Sequence, residues 1–230
     1  PDVKLMLLCN PHNPAGRVWT PEELRRIGEI CLRHDVFVVA DEIHCELVMP
    51  GFRYTPFASL SEEFARRSVT CTSPSKAFNL AGLQVANIFA ADAAIRERIE
   101  QALGRNETGE ISPFAIEALT AAYDEGDEWL DALNAYLAEN YRFLRDYLAR
   151  ELPQYPVLPL EGTYLAWIDC RATGMTSETL ADRLLTEGRL FINPGSIYGP
   201  AGEGFIRLNI ACPRTLLTDG LERLKKVLTR

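Results

Sequence analysis

Val36-Phe37-Val38-Val39-Ala40-Asp41-Glu42 decides the fold: a short apolar run rich in β-branched residues that stops at two carboxylates. A run without polar alternation reads as a parallel strand buried on both faces. Its C-terminal end is where open α/β sheets place ligand chemistry, and a carboxylate at a buried strand end is costly unless it meets a cation. Upstream, Val3-Lys4-Leu5-Met6-Leu7-Leu8 is a second apolar run, ending in Cys9-Asn10-Pro11-His12-Asn13-Pro14-Ala15-Gly16. Two Asn-Pro steps closed by Gly make a rigid turn that aims an Asn side chain into the same crevice. Between the two runs a helix opens at Pro21 and continues to about His34. Thr20 is its N-cap, Glu23 completes a capping box, and Leu24, Ile27, Ile30 and Cys31 share one face.

Downstream, a short helix over 61–66 leads into the strand Ser68-Val69-Thr70-Cys71-Thr72 and then Ser73-Pro74-Ser75-Lys76-Ala77-Phe78-Asn79-Leu80-Ala81-Gly82-Leu83. Lys76 is flanked by hydroxyls and followed by an apolar stretch, so it belongs to neither a charged tract nor a solvated helix face. Lysine is costly to bury, and a partly desolvated amine is a nucleophile able to form a Schiff base. Taken alone, the segment equally suits a snorkelling surface lysine; Asn13, Asp41 and Lys76 on successive strand ends tell against that reading.

The rest of the chain reads as a strand over 85–91, the antiparallel or edge partner, then helices over 93–103 and 113–123 separated by a loop over 104–112. Asp127 opens a long helix to about Glu151, whose aromatic and leucine stripe (Trp129 to Leu148) suits core packing. Strands over 163–169, 189–192 and 204–211 and helices over 177–187 and 214–228 complete it. The expected architecture is α/β: part of a large domain with a mostly parallel sheet over 1–125, and a small α+β domain over 126–230.

The 230 residues carry a net charge of −8 and are 47% hydrophobic, enough for one good core or two modest ones. The acidic balance argues against nucleic acid or an anionic membrane as partner. No apolar stretch approaches the ~20 residues that span a bilayer, and no signal peptide opens the chain. Six cysteines without a CxxC pair suit reduced thiols in a cytoplasmic protein, and the three histidines lack zinc-ligand spacing.

Several motifs together resemble the class I/II aminotransferase superfamily of pyridoxal-phosphate enzymes, and more narrowly its cystathionine β-lyase (C–S lyase) branch. They are Asn13-Pro14-Ala15-Gly16-Arg17-Val18-Trp19-Thr20, Ala40-Asp41-Glu42-Ile43-His44, Ser73-Pro74-Ser75-Lys76, Glu161-Gly162-Thr163-Tyr164-Leu165-Ala166-Trp167 and Arg207-Leu208-Asn209-Ile210-Ala211-Cys212-Pro213-Arg214. The order Asn, Asp, Lys, Arg marks the superfamily; the Asn-Pro-His-Asn-Pro turn and His44 point to the lyase branch. By this resemblance the chain is a C-terminal fragment whose N-terminal part is missing.

The resemblance implies pyridoxal 5'-phosphate as cofactor. Lys76 holds it as a Schiff base and then acts as general base, Asp41 pairs with the pyridine nitrogen, and Asn13 donates to the phenolate oxygen. His44 stands where many relatives carry a tyrosine, and either hydrogen-bonds that phenolate or packs nearby. Of the two serines flanking the lysine, Ser73 and Ser75, Ser73 is the better phosphate ligand. Gln84 stands where many relatives carry an arginine for the phosphate.

Arg207 lies in the otherwise apolar Phe205-Ile206-Arg207-Leu208-Asn209-Ile210, where a buried guanidinium needs an anion. A substrate α-carboxylate, matched bidentately, is one such anion and a structural salt bridge the other. Tyr164 and the Asn193-Pro194-Gly195-Ser196 turn are expected to shape the substrate pocket, and Glu42 to be a structural neighbour. The implied reaction is β-elimination of a sulfur amino acid to thiol, pyruvate and ammonia. An aminotransferase with the same residues is the first alternative, and a non-catalytic or regulatory protein on the scaffold the second. A homodimer is expected by analogy, and the isolated fragment is expected to bind cofactor weakly and to be inactive.

Overall fold

The computed structural model describes residues 2–229, organised as two compact units: Pro1–His12 with Val18–Leu133, and Asn13–Arg17 with Asn134–Arg230. In the first, β1 (Leu5–Cys9), β2 (Phe37–Asp41) and β3 (Ser68–Thr72) are parallel, and β4 (Asn87–Phe89) joins β3 antiparallel, in the order β1-β2-β3-β4. Helix α1 (Pro21–Arg33) links β1 to β2. Thr20 caps it and Glu23 reciprocates to the Thr20 amide, so the expected capping box is formed. Helix α2 (Glu62–Arg66), capped by Ser61, leads into β3.

Leu8, Leu24, Cys31, Val38, Ala40, Phe57 and Phe64 form the core on one face of this sheet. Phe57 and Phe64 stack with centroids 5.2 Å apart. A Cβ on Gly28 would lie 2.5–2.7 Å from the Phe64 ring, so only glycine lets α1 approach that closely. The expectation that β2 is buried on both faces is not met. Its residues alternate, with Val38 and Ala40 inside, Phe37 and Val39 half-buried and Asp41 exposed. Leu5 and Leu7 are likewise exposed at 49% and 75%. A parallel strand is sealed on both sides only when helices cover both faces. Here the second face is flanked by α3 (Ala93–Arg105), whose Ile95 and Ile99 wall a groove floored by Leu5, Val39, Val69 and Ile88.

Helices α4 (Pro113–Glu125) and α5 (Asp127–Glu151) follow, and the boundary between the units falls within α5, after Leu133. The second unit holds an antiparallel sheet, β5 (Leu165–Asp169), β7 (Phe205–Asn209) and β6 (Asn193–Pro194), in the order β5-β7-β6. Helices α6 (Ser177–Gly188) and α7 (Arg214–Leu228) complete it. Leu144, Leu148, Ile168, Leu184, Ile206, Ile210 and Leu221 are among its fully buried apolar residues. The buried Asn140 is saturated: its amide donates to the carbonyls of Ile210 and Cys212 (2.8 and 3.0 Å) and accepts from Arg214 Nε (2.8 Å). It thereby fixes the β7–α7 connection to α5.

Most element boundaries shift by one or two residues from the sequence reading, and two strands differ by more. The strand expected at 189–192 is instead the exit of α6. Arg189 is left-handed (φ 49°) and the Leu190 amide returns to the Leu184 carbonyl, so pairing begins only at Asn193. Similarly, only Asn87–Phe89 of the run 85–91 pairs; at its start the Val85 carbonyl accepts the Ser73 hydroxyl instead.

Candidate active site

In the first unit three strand ends carry chemistry. Asp41 is the last residue of β2 and faces Cys9 on β1 and Cys71 on β3 in register; Lys76 follows β3 by four residues. The Asn10 amide N–H donates to the Asp41 carbonyl, and the Glu42 N–H to the Cys71 carbonyl. The backbone ladder thus sets the two ends side by side. The Asp41 carboxylate is exposed and accepts the Ile43 N–H at 3.2 Å, which turns it back over its own strand end. No cation pairs with it among the described residues, and it is exposed where the sequence reading had a buried strand end. The reason is the open second face of the sheet, toward which odd-numbered β2 residues point.

Lys76 sits in a turn built by its neighbours. The Phe78 amide donates to the Pro74 carbonyl, the Leu80 amide to the Ser75 carbonyl, and the Ser75 amide to Ser73 Oγ (3.1 Å). Asn79 is left-handed at φ 56°. Trp129 Nε1 donates to the Ala77 carbonyl (3.2 Å). Phe78 packs edge-on against Tyr123 with centroids 6.1 Å apart. The lysine itself is half-buried and its ammonium has no hydrogen bond or ion pair among the described residues.

Ser73, the expected phosphate ligand, is 3% exposed and donates its hydroxyl to the Val85 carbonyl at 2.6 Å. Its one O–H is therefore spent on the fold. The half-buried Ser75 retains a hydroxyl without a partner among the described residues. Gln84 is exposed and left-handed (φ 54°). His44 is buried at 3%.

Glu42 is the buried acid of this region, at 1% exposure. Its Oε1 accepts the Phe57 amide at 2.8 Å and its Oε2 accepts the Tyr54 hydroxyl in a short contact. Burial pushes the carboxyl up, the two donors pull it back, and the Asp41 charge adds a smaller upward push. Beside it Asn10, fully buried, donates to the Thr55 carbonyl (3.2 Å) and accepts the Trp19 amide (3.1 Å). The segment Tyr54–Phe57 is thus gripped from the ends of both β1 and β2.

In the second unit Arg207 occupies the middle of β7, opposite Trp167 on β5 and Asn193 on β6. Its guanidinium donates to Asn13 Oδ1 (2.9 Å) and Asn193 Oδ1 (3.1 Å) and lies 5.1 Å from the Tyr198 ring centroid. No carboxylate among the described residues pairs with it. Two neutral amides and a ring orient the fork without cancelling its charge, so the structural salt bridge weighed from sequence is not what holds it. Because Asn13 Oδ1 accepts from Arg207, its NH2 is left as a donor for another acceptor.

Gly16 anchors the Asn13 turn. Its carbonyl accepts the amides of Glu161 and Gly162, and at φ 70° a Cβ there would stand 2.5 Å from Leu160. Beyond that contact Thr163, fully buried, adopts φ 68°, a β-branched residue in a region that costs of order 1–3 kcal/mol. It leads directly into Tyr164. Burial pushes the Tyr164 phenol up while the Arg207 charge pulls it down.

Sequence reasoning singled out Asn13, Asp41, Lys76, Tyr164 and Arg207. It missed Asn10, Tyr54 and Trp129 in the first unit and Tyr198 beside Arg207 in the second, each held by contacts that have no local pattern.

Comparison with known proteins gives a consistent picture. The family described as "Aminotransferase class I and II" matches residues 1–224. Cystathionine beta-lyase PatB of Bacillus subtilis is 46% identical over 229 residues, covering 100% of this chain and 59% of that protein. Cystalysin of Treponema denticola, whose crystal structure contains a pyridoxal 5'-phosphate cofactor, superposes with a TM-score of 0.93 at 38% identity, over 98% of this chain and 57% of that one. The PLP-bound C-S lyase of Staphylococcus hominis superposes with a TM-score of 0.92 at 34% identity, over 100% and 58%. The chain therefore spans a little under three-fifths of the length of the proteins it matches.

Proposed function

The chain belongs to the class I and II aminotransferase family, and from that footing we propose that it carries the catalytic lysine of a pyridoxal-phosphate-dependent carbon–sulfur β-lyase acting on sulfur amino acids. The observation that carries this reading is the pairing of strand ends. A half-buried amine without a counter-ion, Lys76, follows the strand whose neighbour ends in Asp41.

The donor set fits the cofactor. A primary amine condenses with its aldehyde, a carboxylate meets a protonated ring nitrogen, and an amide NH2 meets a phenolate oxygen. Lys76, Asp41 and Asn13 supply these in turn. For the phosphate, Ser75 has the available hydroxyl and Ser73 does not. Bound there, pyridoxal phosphate supplies an electron sink for charge left at the substrate's α-carbon.

The remaining work falls to side chains. Arg207 holds the substrate α-carboxylate through its two-pronged fork, and Tyr164 lines the approach. Lys76 Nζ takes the α-proton. The C–S bond then breaks with both electrons leaving on sulfur, and addition of water releases the remainder as pyruvate and ammonia. We also propose a homodimer working in the cytoplasm. The six cysteines are all free, as suits a reducing compartment, and among the described residues no helix is long and apolar enough to cross a membrane.

An aminotransferase is the second reading, favoured by the family's own description; it uses the same residues through proton removal. Full-length protein given cystathionine and no keto acid should release pyruvate and ammonia, and strict dependence on a keto-acid acceptor would reject the lyase. Borohydride reduction of the cofactor-loaded protein should label Lys76; label elsewhere, or none, would reject the family chemistry for this chain.

A further inference from the structure

We propose that Glu42 is a positioning residue for the cofactor site: a buried carboxylate that fixes the strand end carrying Asp41 and places a second negative charge behind it. The inference rests on the reading of Asp41 as the anchor of a cationic ring nitrogen.

Four contacts converge on Glu42. Its N–H donates to Cys71 O at 2.9 Å, its carbonyl accepts Cys45 N–H at 3.0 Å, and its side chain accepts from Phe57 N–H and Tyr54 O–H. Ile43, whose amide turns the Asp41 carboxylate, lies between these pins. The backbone that orients Asp41 is thus immobilised by the residue next to it. Asn10 braces the same Tyr54–Phe57 segment from β1.

The chemistry of the contacts argues for an anion. Both Glu42 oxygens accept, and the Tyr54 phenol is pushed far up by burial and by the Glu42 charge, so it remains an O–H donor. A carboxylate at 1% exposure with no cation beside it among the described residues is costly to keep. A glutamine there would retain the Phe57 bond and the packing. What the charge adds is its field: a second anion one residue from Asp41 strengthens the pull on any cation that Asp41 holds, because buried charges are weakly screened.

Cofactor affinity of the full-length protein, read as the Kd for pyridoxal phosphate by fluorescence, tests this in a cycle of Asp41→Asn, Glu42→Gln and the double variant. Glu42→Gln should weaken binding by on the order of tenfold. Asp41→Asn should weaken it more, and the double variant no further than Asp41→Asn, since the ring nitrogen stays cationic, and so feels the Glu42 charge, only while Asp41 pairs with it. If the two losses multiply, Glu42 acts independently of Asp41 and the inference falls; an unchanged Kd in Glu42→Gln also overturns it.

The absorption band of the bound cofactor, followed with pH, supplies a readout that general destabilisation does not move; its midpoint should shift in Glu42→Gln. Tyr54→Phe keeps the carboxylate but removes one donor, and should shift affinity and midpoint in the same direction by less. It serves if Glu42→Gln does not fold, and no shift in it would equally refute the inference. Should Asp41→Asn itself leave the Kd unchanged, the reading of the site fails, a result distinct from failure of Glu42.

Discussion

Replacing Arg207 with alanine in the full-length protein should remove selectivity for the substrate's carboxylate, by an amount the geometry bounds. The guanidinium is oriented by Asn13 at 2.9 Å, Asn193 at 3.1 Å and the Tyr198 ring at 5.1 Å, with no anion among the described residues spending its charge. Truncating one partner of a hydrogen-bonded charge pair costs about 2–5 kcal/mol, which at 1.4 kcal/mol per tenfold is about 30- to several-thousand-fold in kcat/KM. Part of any loss will come from Asn13 and Asn193 losing their partner, so the raw loss is ambiguous. The comparison that isolates the carboxylate uses two substrates, a sulfur amino acid and its decarboxylated amine, on wild type and Arg207→Ala. Disturbance of the amides affects both substrates and cancels, as in a double-mutant cycle. Wild type should prefer the carboxylated substrate by the factor above, and Arg207→Ala should show little preference. Arg207→Lys should fall between, since a point charge cannot reproduce the fork. The assay is pyruvate release from the amino acid and thiol release from both. If the preference survives in Arg207→Ala, Arg207 does not bind the carboxylate and the assignment is wrong.

Three further predictions concern stability. Gly28→Ala drives a Cβ to within 2.5–2.7 Å of the Phe64 ring, which is stacked on Phe57 and has little room to yield. Overpacking of this kind costs about 1–3 kcal/mol, so the urea midpoint should fall, and an unchanged midpoint would show that α1 can shift freely. Asn140→Ala deletes two donated bonds and one accepted bond at a fully buried position, leaving two carbonyls unsatisfied at about 1–3 kcal/mol each; thermal unfolding should drop by several degrees. Glu151 is held down to about 2 by its bonds to Lys225 and then Arg150, against an ordinary value of 4.5. A lowered carboxylate contributes stability that is complete above the unfolded value and is lost as pH falls toward the folded one. Wild type should therefore lose stability between pH 5 and pH 2 more steeply than Glu151→Gln, and equal slopes would show that the Lys225–Glu151 contact contributes nothing.

How much of this was legible from sequence follows from the range of each interaction. The apolar runs of β1, β2 and β3 and the capping box of α1 are local, and so Asn13, Asp41 and Lys76 could be set on strand ends before any coordinates. Helix α7 was read at its observed limits, 214–228, because Pro213 and the leucine spacing are both local signals. Exposure of Asp41 was not legible, since whether a strand is sealed on its second face depends on what packs there, not on the strand. Nor was the diversion of Ser73, whose acceptor Val85 lies 12 residues on. Arg207 is the sharpest case. Its need for a polar partner followed from one strand, yet the partner Asn13 lies 194 residues away in sequence. Asn13 as a protein partner makes sense only once its turn is folded against β7.

The distribution of charge separates ions that hold the fold from ions that serve a ligand. Arg171 with Asp169, Arg183 with Glu187, and Glu151 with Lys225 and Arg150 are mutually satisfied surface groups, and exposed pairs of this kind add little to stability. Lys76, Asp41 and Arg207 differ in kind, for among the described residues none has an opposite charge beside it. Their neighbours orient them with neutral dipoles: the Ile43 amide for Asp41, two asparagine carbonyls for Arg207, and a turn closed by Ser73 for the backbone of Lys76. Neutral orientation fixes geometry without neutralising charge, so the charge stays available to whatever binds. A protein selected for stability alone would have little reason to leave three such groups uncompensated. One that must receive a cationic ring nitrogen, an aldehyde and a carboxylate gains from doing so, because each arriving group then meets a preset partner with little reorganisation.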